Sequence, residues 1–159
     1  YPHFQDDLET MIDHCRKQHT QTFDLYGFGM GGGLVLGIGY GRTEIRKIIA
    51  DTPFLSIEDL EERFASWEEP MEVPFAGYDK NHEPTSAVTG ARGKNLKGVK
   101  LIVGSNDLLY SAEDYKALQK SSPKLIDKEI HVVENPDRKD NFLVDQKTYS
   151  NILLEFLKD

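Results

Sequence analysis

The sequence predicts an α/β domain with a mainly parallel sheet flanked by helices, and three observations carry that prediction. Short apolar runs of strand length, at 47–50, 99–104 and 130–133, alternate with segments of helical periodicity. Eight of the 13 glycines fall between Gly27 and Gly41, directly after the strand candidate Phe23-Asp24-Leu25-Tyr26, as a tight strand-to-helix turn requires. The length, 159 residues, fits a single domain, 1–159, able to bury roughly two thirds of its extended-chain surface.

Residues 5–18 place Leu8, Met11, Ile12 and Cys15 at i, i+3, i+4 and i+7, with Asp6 and Asp7 in front and Arg16 and Lys17 behind. That is an amphipathic helix with charges matched to its dipole. After the strand candidate 23–26, the run Leu34-Val35-Leu36-Gly37-Ile38 is apolar on all sides and reads as a buried helix. Residues 47–50 form the next strand, closed by Asp51-Thr52-Pro53. From 54 to 97 the pattern changes. Ser56 caps a short acidic helix carrying Ile57, Leu60, Phe64 and Trp67, and Pro70, Pro74 and Pro84 then punctuate irregular chain, so 54–97 reads as a cap-like insertion outside the core. Residues 99–104 restore a buried strand, and Ser111-Ala112-Glu113-Asp114 starts a helix with Tyr115 and Leu118. Residues 130–133 are the last strand, and Tyr149, Ile152, Leu153, Phe156 and Leu157 face inward from a terminal helix. Right-handed crossovers are expected throughout.

Composition narrows the function classes. With 38% hydrophobic residues and no apolar run of about 18 to 20, neither disorder nor a membrane-spanning helix is expected. A net charge of −8, with no Lys/Arg run longer than two, argues against nucleic acid as a partner. The single Cys15 excludes an internal disulfide and reads as core. Together with an N-terminus lacking a signal-peptide pattern, it favours an intracellular location, cytoplasmic or organellar. The first residue is Tyr1 in place of Met, which suggests a processed or partial product. No metal or cofactor is expected: His3, His14 and His19 have no convergent acid spacing, and Glu58, Asp59, Glu61, Glu62, Glu68, Glu69 and Glu72 read as a solvated face.

The glycine turn has two chemical readings. Gly27-Phe28-Gly29-Met30-Gly31-Gly32 fits G-x-G-x-x-G, the dinucleotide fingerprint, with Asp51 near the ribose-binding position. The same residues fit the frame of a nucleophile elbow, G-x-S-x-G, with Gly29 where serine belongs.

On the second reading the sequence resembles the α/β-hydrolases, and within them the monoacylglycerol lipase and lysophospholipase branch. That branch reads G-H-S-M-G-G-G at this turn; Met30, Gly31, Gly32 and Gly33 match, while Phe28 and Gly29 replace His and Ser. Residues 100–107, Lys-Leu-Ile-Val-Gly-Ser-Asn-Asp, resemble the strand ending in H-G-x-x-D, with Gly104 and Asp107 matching. Residues 124–159 resemble the final strand, histidine loop and closing helix, and 54–97 falls where the family carries its variable cap.

The resemblance implies ester hydrolysis by serine, histidine and acid, and sets what this chain lacks beside it. Gly29 removes the nucleophile. The histidine is expected within 134–142, where Arg138 and Lys139 stand and no histidine does. Asp107 retains the acid position, either capping the turn before Ser111 or paired with Arg138 or Lys139. The backbone N–H of Met30 is the surviving half of the oxyanion hole. His131 reads as an ordinary strand residue. Trp67, Met71, Phe75 and Tyr78 either line an acyl pocket or pack the insertion onto the core.

The leading expectation is a catalytically inactive α/β-hydrolase-like domain, a pseudo-hydrolase acting as a binding or assembly subunit, with a lipid or ester as the possible ligand. The alternative is a serine hydrolase seen as a partial chain, using Ser105 or Ser111. A nucleotide-binding module is the third. Because the family core needs about 250 residues, the strand 23–26 is expected to expose an apolar edge, covered by upstream residues or another chain.

Overall fold

The computed structural model describes residues 3–18, 21–71 and 77–158; Glu72, Pro74, Phe75 and His19 lie outside these. Four strands form one sheet in the order β1-β2-β3-β4: β1 Phe23–Phe28, β2 Ile45–Asp51, β3 Gly98–Gly104 and β4 His131–Val133. Every pairing is parallel, with Leu25 opposite Ile48, Ala50 opposite Leu101 and Ile102 opposite His131.

Side chains alternate across the sheet as the strand period requires. Ile45, Ile48 and Ala50 of β2 and Val99, Leu101 and Val103 of β3 face one layer of helices; Ile49 and Ile102 face the other. The first layer holds α1 (Phe4–Gln18), α2 (Met30–Gly39), α3 (Ile57–Ala65), the single turn α4 (Pro84–Ala87) and α5 (Lys116–Ser121). The second holds α7 (Gln146–Leu157), reached through the short α6 (Asn141–Val144), and it buries Tyr149 against Ile49 and Ile102. Leu34 to Gly39 of α2 are all buried, as a helix apolar on every side should be.

Three expectations need correction. Residues 54–97 do not stand outside the core: Phe54, Ile57, Leu60, Val88 and Leu96 are buried in it. Their apolar spacing had been masked by the prolines and acids between them. The acidic helix is capped by Ser56, whose Oγ accepts from the Asp59 N–H at 3.1 Å, but it ends at Ala65, so Trp67 lies past its end, edge-on to Phe64. Ser111 does not start a helix either. Asp114 takes hydrogen bonds from both the Ser111 N–H and Oγ at 2.7 Å, closing a separate turn, and α5 begins at Lys116. No helix among the described residues is long and apolar enough to cross a membrane.

Candidate active site

The turns that follow parallel strands converge at their C-terminal ends, and the candidate site lies there. β1 ends at Phe28 and α2 begins at Met30, so Gly29 alone makes the reversal. Its φ of 56° and ψ of −121° lie where side-chain-bearing residues carry strain of about 1–3 kcal/mol. The Gly29 N–H donates to the Asp51 carbonyl at 2.8 Å, fixing the turn to the end of β2. A Cβ on Gly27 would stand 2.2 Å from the Gly31 carbonyl oxygen, so the turn closes only over a glycine; a Cβ on Gly29 would meet nothing within 4 Å. The backbone therefore points position 29 into open space, the placement a nucleophile elbow gives its serine. Met30 opens α2, and its N–H is among the first amides for which the helix supplies no carbonyl.

A cavity of 290 Å³ opens beside this turn. Met30, Phe54, Leu60, Phe64 and Leu109 give it apolar walls, and Gly29, Thr52 and Asp107 bring polar atoms to it. Of the two readings of the insertion's aromatic and Met side chains, Trp67, Met71 and Tyr78 do not follow the first, since none of them lines this cavity. Tyr78 stands edge-on behind Phe54 and Trp67 behind Phe64, while Met71 is exposed. α3 is held over the cavity by a cluster that the sequence did not announce. Arg63 bonds Asp59 at 2.9 Å and Asp114 at 2.8 Å, donates to the Leu109 carbonyl and lies 4.3 Å over the Tyr110 ring. Tyr110 donates to Asp59 at 2.8 Å. Burial works against the Arg63 charge, yet the two carboxylates outweigh it and raise its pKa; burial and Asp59 likewise raise that of Tyr110. Asp59, expected on a solvated face, is thus half-buried and engaged, whereas Glu58, Glu61, Glu62, Glu68 and Glu69 are exposed.

Asp107 is not paired with Arg138 or Lys139. Its Oδ1 accepts from the Leu109 N–H at 2.9 Å and the Tyr110 N–H at 2.8 Å, the turn-capping role that short acids favour. Arg138 has a left-handed backbone, φ 54°, and its Nε donates to the Asn106 carbonyl at 3.1 Å; Lys139 bonds Asp137 at 2.9 Å. Asp107 and Arg138 are engaged by backbone groups and Lys139 by the neighbouring Asp137 carboxylate, so none of them pairs across.

Asp51 is fully buried, which removes it as a ribose-binding acid. Its carboxylate accepts from Tyr149 Oη at 2.5 Å, Asn141 Nδ2 at 2.7 Å and Thr52 Oγ1 at 3.0 Å. Burial raises its pKa, and the three donors partly offset that. Asn141 passes the connection on: its Oδ1 accepts from Asn135 Nδ2 at 2.9 Å, and Asn135 Oδ1 accepts from the Lys139 N–H at 3.0 Å. This polar chain fixes the 135–142 loop, part of the 134–142 stretch expected to carry the histidine. His131 instead sits on β4, facing a cavity of 270 Å³ against Thr148, Tyr149 and Ile152 of α7, where burial and then Lys100 hold its pKa down. Among the described residues no three His, Cys, Asp or Glu side chains converge as a metal site.

No family model matches the sequence, and no curated protein sequence does. Solved structures match the fold. Two structures of an esterase from Pyrococcus furiosus superpose with TM-scores of 0.69 and 0.67, at 19% and 18% identity, over 98% and 95% of this chain. The match covers 61% and 60% of the esterase, so the chain spans about three-fifths of that protein's length. An N-acyl homoserine lactonase, AidH, solved in complex with N-butanoyl homoserine, superposes at a TM-score of 0.55 and 12% identity, over 95% of this chain and 68% of the lactonase. At such identities the likeness establishes architecture alone, and the architecture of this chain is that of the α/β-hydrolase fold.

Proposed function

We propose that the chain is a pseudo-hydrolase: a domain that binds a small apolar ester or lipid beside Gly29 without cleaving it, as a binding or assembly subunit of a larger protein or complex. The observation behind this is Gly29 itself. The backbone holds the conformation that presents a nucleophile, the space around its missing Cβ is open, and no side chain enters it. The 135–142 loop has no histidine, and Asp107 caps a turn. What remains is an apolar pocket sized for a short acyl chain. Trp67, the only tryptophan, rests on the pocket residue Phe64 and reports occupancy. Titration with methyl octanoate is expected to change Trp67 emission saturably while the ester is recovered intact. Ester consumption above the buffer rate would overturn the reading.

A second reading, a lipase-like serine hydrolase seen in part, draws support from the chain's coverage of three-fifths of the esterase and from Asp107 at the acid position. It needs a nucleophile. Ser105 Oγ accepts from the Asn135 N–H at 2.9 Å and Ser111 Oγ donates to Asp114, and among the described residues neither bonds a histidine.

A further inference from the structure

Thr52, the first residue beyond β2, lines the pocket beside Gly29 and has a left-handed backbone, φ 49°. A β-branched residue is strained there, and such strain persists only where the surroundings hold it. Two bonds hold this one. Its N–H donates to the Ile102 carbonyl at 2.8 Å, and its Oγ1 donates to Asp51 Oδ1 at 3.0 Å. Asn141 Nδ2 lies 3.4 Å from the same hydroxyl oxygen and can only donate to it. A hydroxyl has one proton. While Asp51 is ionised, that proton is committed to a carboxylate, the stronger kind of acceptor, and Thr52 has none to give a ligand.

The buried carboxyl is joined to the surface by two hydroxyls in series. Asp51 Oδ2 lies 2.5 Å from Tyr149 Oη, which lies 3.2 Å from Tyr26 Oη, and Tyr26 is 45% exposed. A proton taken up at Oδ2 is accommodated by turning hydroxyls alone: Asp51 donates to Tyr149, Tyr149 turns its proton to Tyr26, and Tyr26 turns its own to solvent. Oδ1 is then an uncharged carbonyl oxygen that keeps its shorter bond, from Asn141 at 2.7 Å, and holds the Thr52 proton less strongly. The titratable groups acting on this carboxyl are Tyr26 of β1, Asp107 beyond β3, Tyr115 before α5, His131 of β4 and Tyr149 of α7, with Asp140 before α6 acting on Tyr26. Burial, with Asp107 a lesser contribution, favours the protonated form.

We propose that Thr52 is the pocket's hydrogen-bond donor to a ligand carbonyl, and that protonation of the buried Asp51 carboxyl releases its hydroxyl for that role. This rests on the reading of the cavity beside Gly29 as an acyl pocket and adds what governs its affinity. Binding is strong below the raised pKa of Asp51 and weakens as pH rises through it. The test is calorimetric titration with methyl hexyl ketone, which offers a carbonyl on a short apolar chain and no ester bond to cleave, at about pH 5 and about pH 8. The protein is expected to bind it at least about threefold more tightly at the lower pH. Thr52→Ser should keep that ratio, and Thr52→Val should bind equally at both. Saturable binding that is equal at the two pH values in the unsubstituted protein would overturn this proposal alone. A ratio that survives in Thr52→Val would also overturn it, assigning the dependence to Asp107 in the pocket wall. No saturable binding at either pH would overturn the pocket reading along with it.

Discussion

Asp51 is gripped from two sides by two differently built regions: the Gly29 amide bonds its carbonyl, and the Asn141 and Tyr149 side chains bond its carboxylate. The glycine turn holds its shape by the absence of side chains, since a Cβ on Gly27 would collide with the Gly31 carbonyl. The 135–142 loop holds its shape by side chains, through Asp51, Asn141 and Asn135. The difference separates a turn whose shape needs no side chain at position 29 from a loop whose shape depends on its side chains. Geometry at position 29 is set by the backbone and by neighbouring glycines, and a side chain there would meet no neighbour but would carry the strain of that φ. The loop's geometry is coupled to a buried charge, where each partner matters.

The sharpest way to break this comparison is at Gly27. Gly27→Ala forces a Cβ against backbone, and a loss of about 3 kcal/mol or more is expected in urea denaturation; a loss under about 1 kcal/mol would mean that the turn is not closed by glycine. On the side-chain region, Tyr149→Phe is expected to cost about 1–3 kcal/mol at neutral pH. The pH dependence follows from the raised pKa of Asp51. A carboxyl whose folded pKa lies above the unfolded value of about 3.9 contributes stability that is present below that value and lost as pH rises through the folded pKa. Tyr149 opposes the loss by stabilising the carboxylate. The variant's deficit should therefore be largest above the raised pKa and shrink in acid, and a deficit flat with pH would refute the assignment.

Gly29→Ser is expected to cost about 1–3 kcal/mol, the strain of a side chain at that φ, and no more, because its Cβ finds open space. It should confer no ester turnover, for want of a base in the 135–142 loop; turnover in the variant would show that a base is in reach. Smallest of all is Asp107→Asn. The Asn oxygen can accept the same two amides, so stability should stay within about 0.5 kcal/mol from pH 4 to 8. A larger, pH-dependent change would restore the ion pair that the geometry replaces with a turn cap.

What the sequence made legible follows the range of the interactions. α1, α2 and the strands were readable because their signals repeat within a few residues, and the tight strand-to-helix turn because Gly27, Gly29 and Gly31 alternate over five residues. The pocket wall was not: Phe54 and Leu60 reach the core through a segment whose prolines suggested an excursion. The Arg63 cluster joins Asp59 to Asp114, and the Asp51 cluster joins β2 to Asn141 and Tyr149, contacts that no local pattern encodes. Asp51 stands at the ribose-binding spacing from the glycine fingerprint, but its burial excludes that role.

The central claim, a hydrolase pocket without hydrolase chemistry, is tested most directly by exposing the native protein to a serine-reactive fluorophosphonate and measuring intact mass. The account predicts no adduct. Stoichiometric labelling of any serine, Ser105 or Ser111 included, would contradict it.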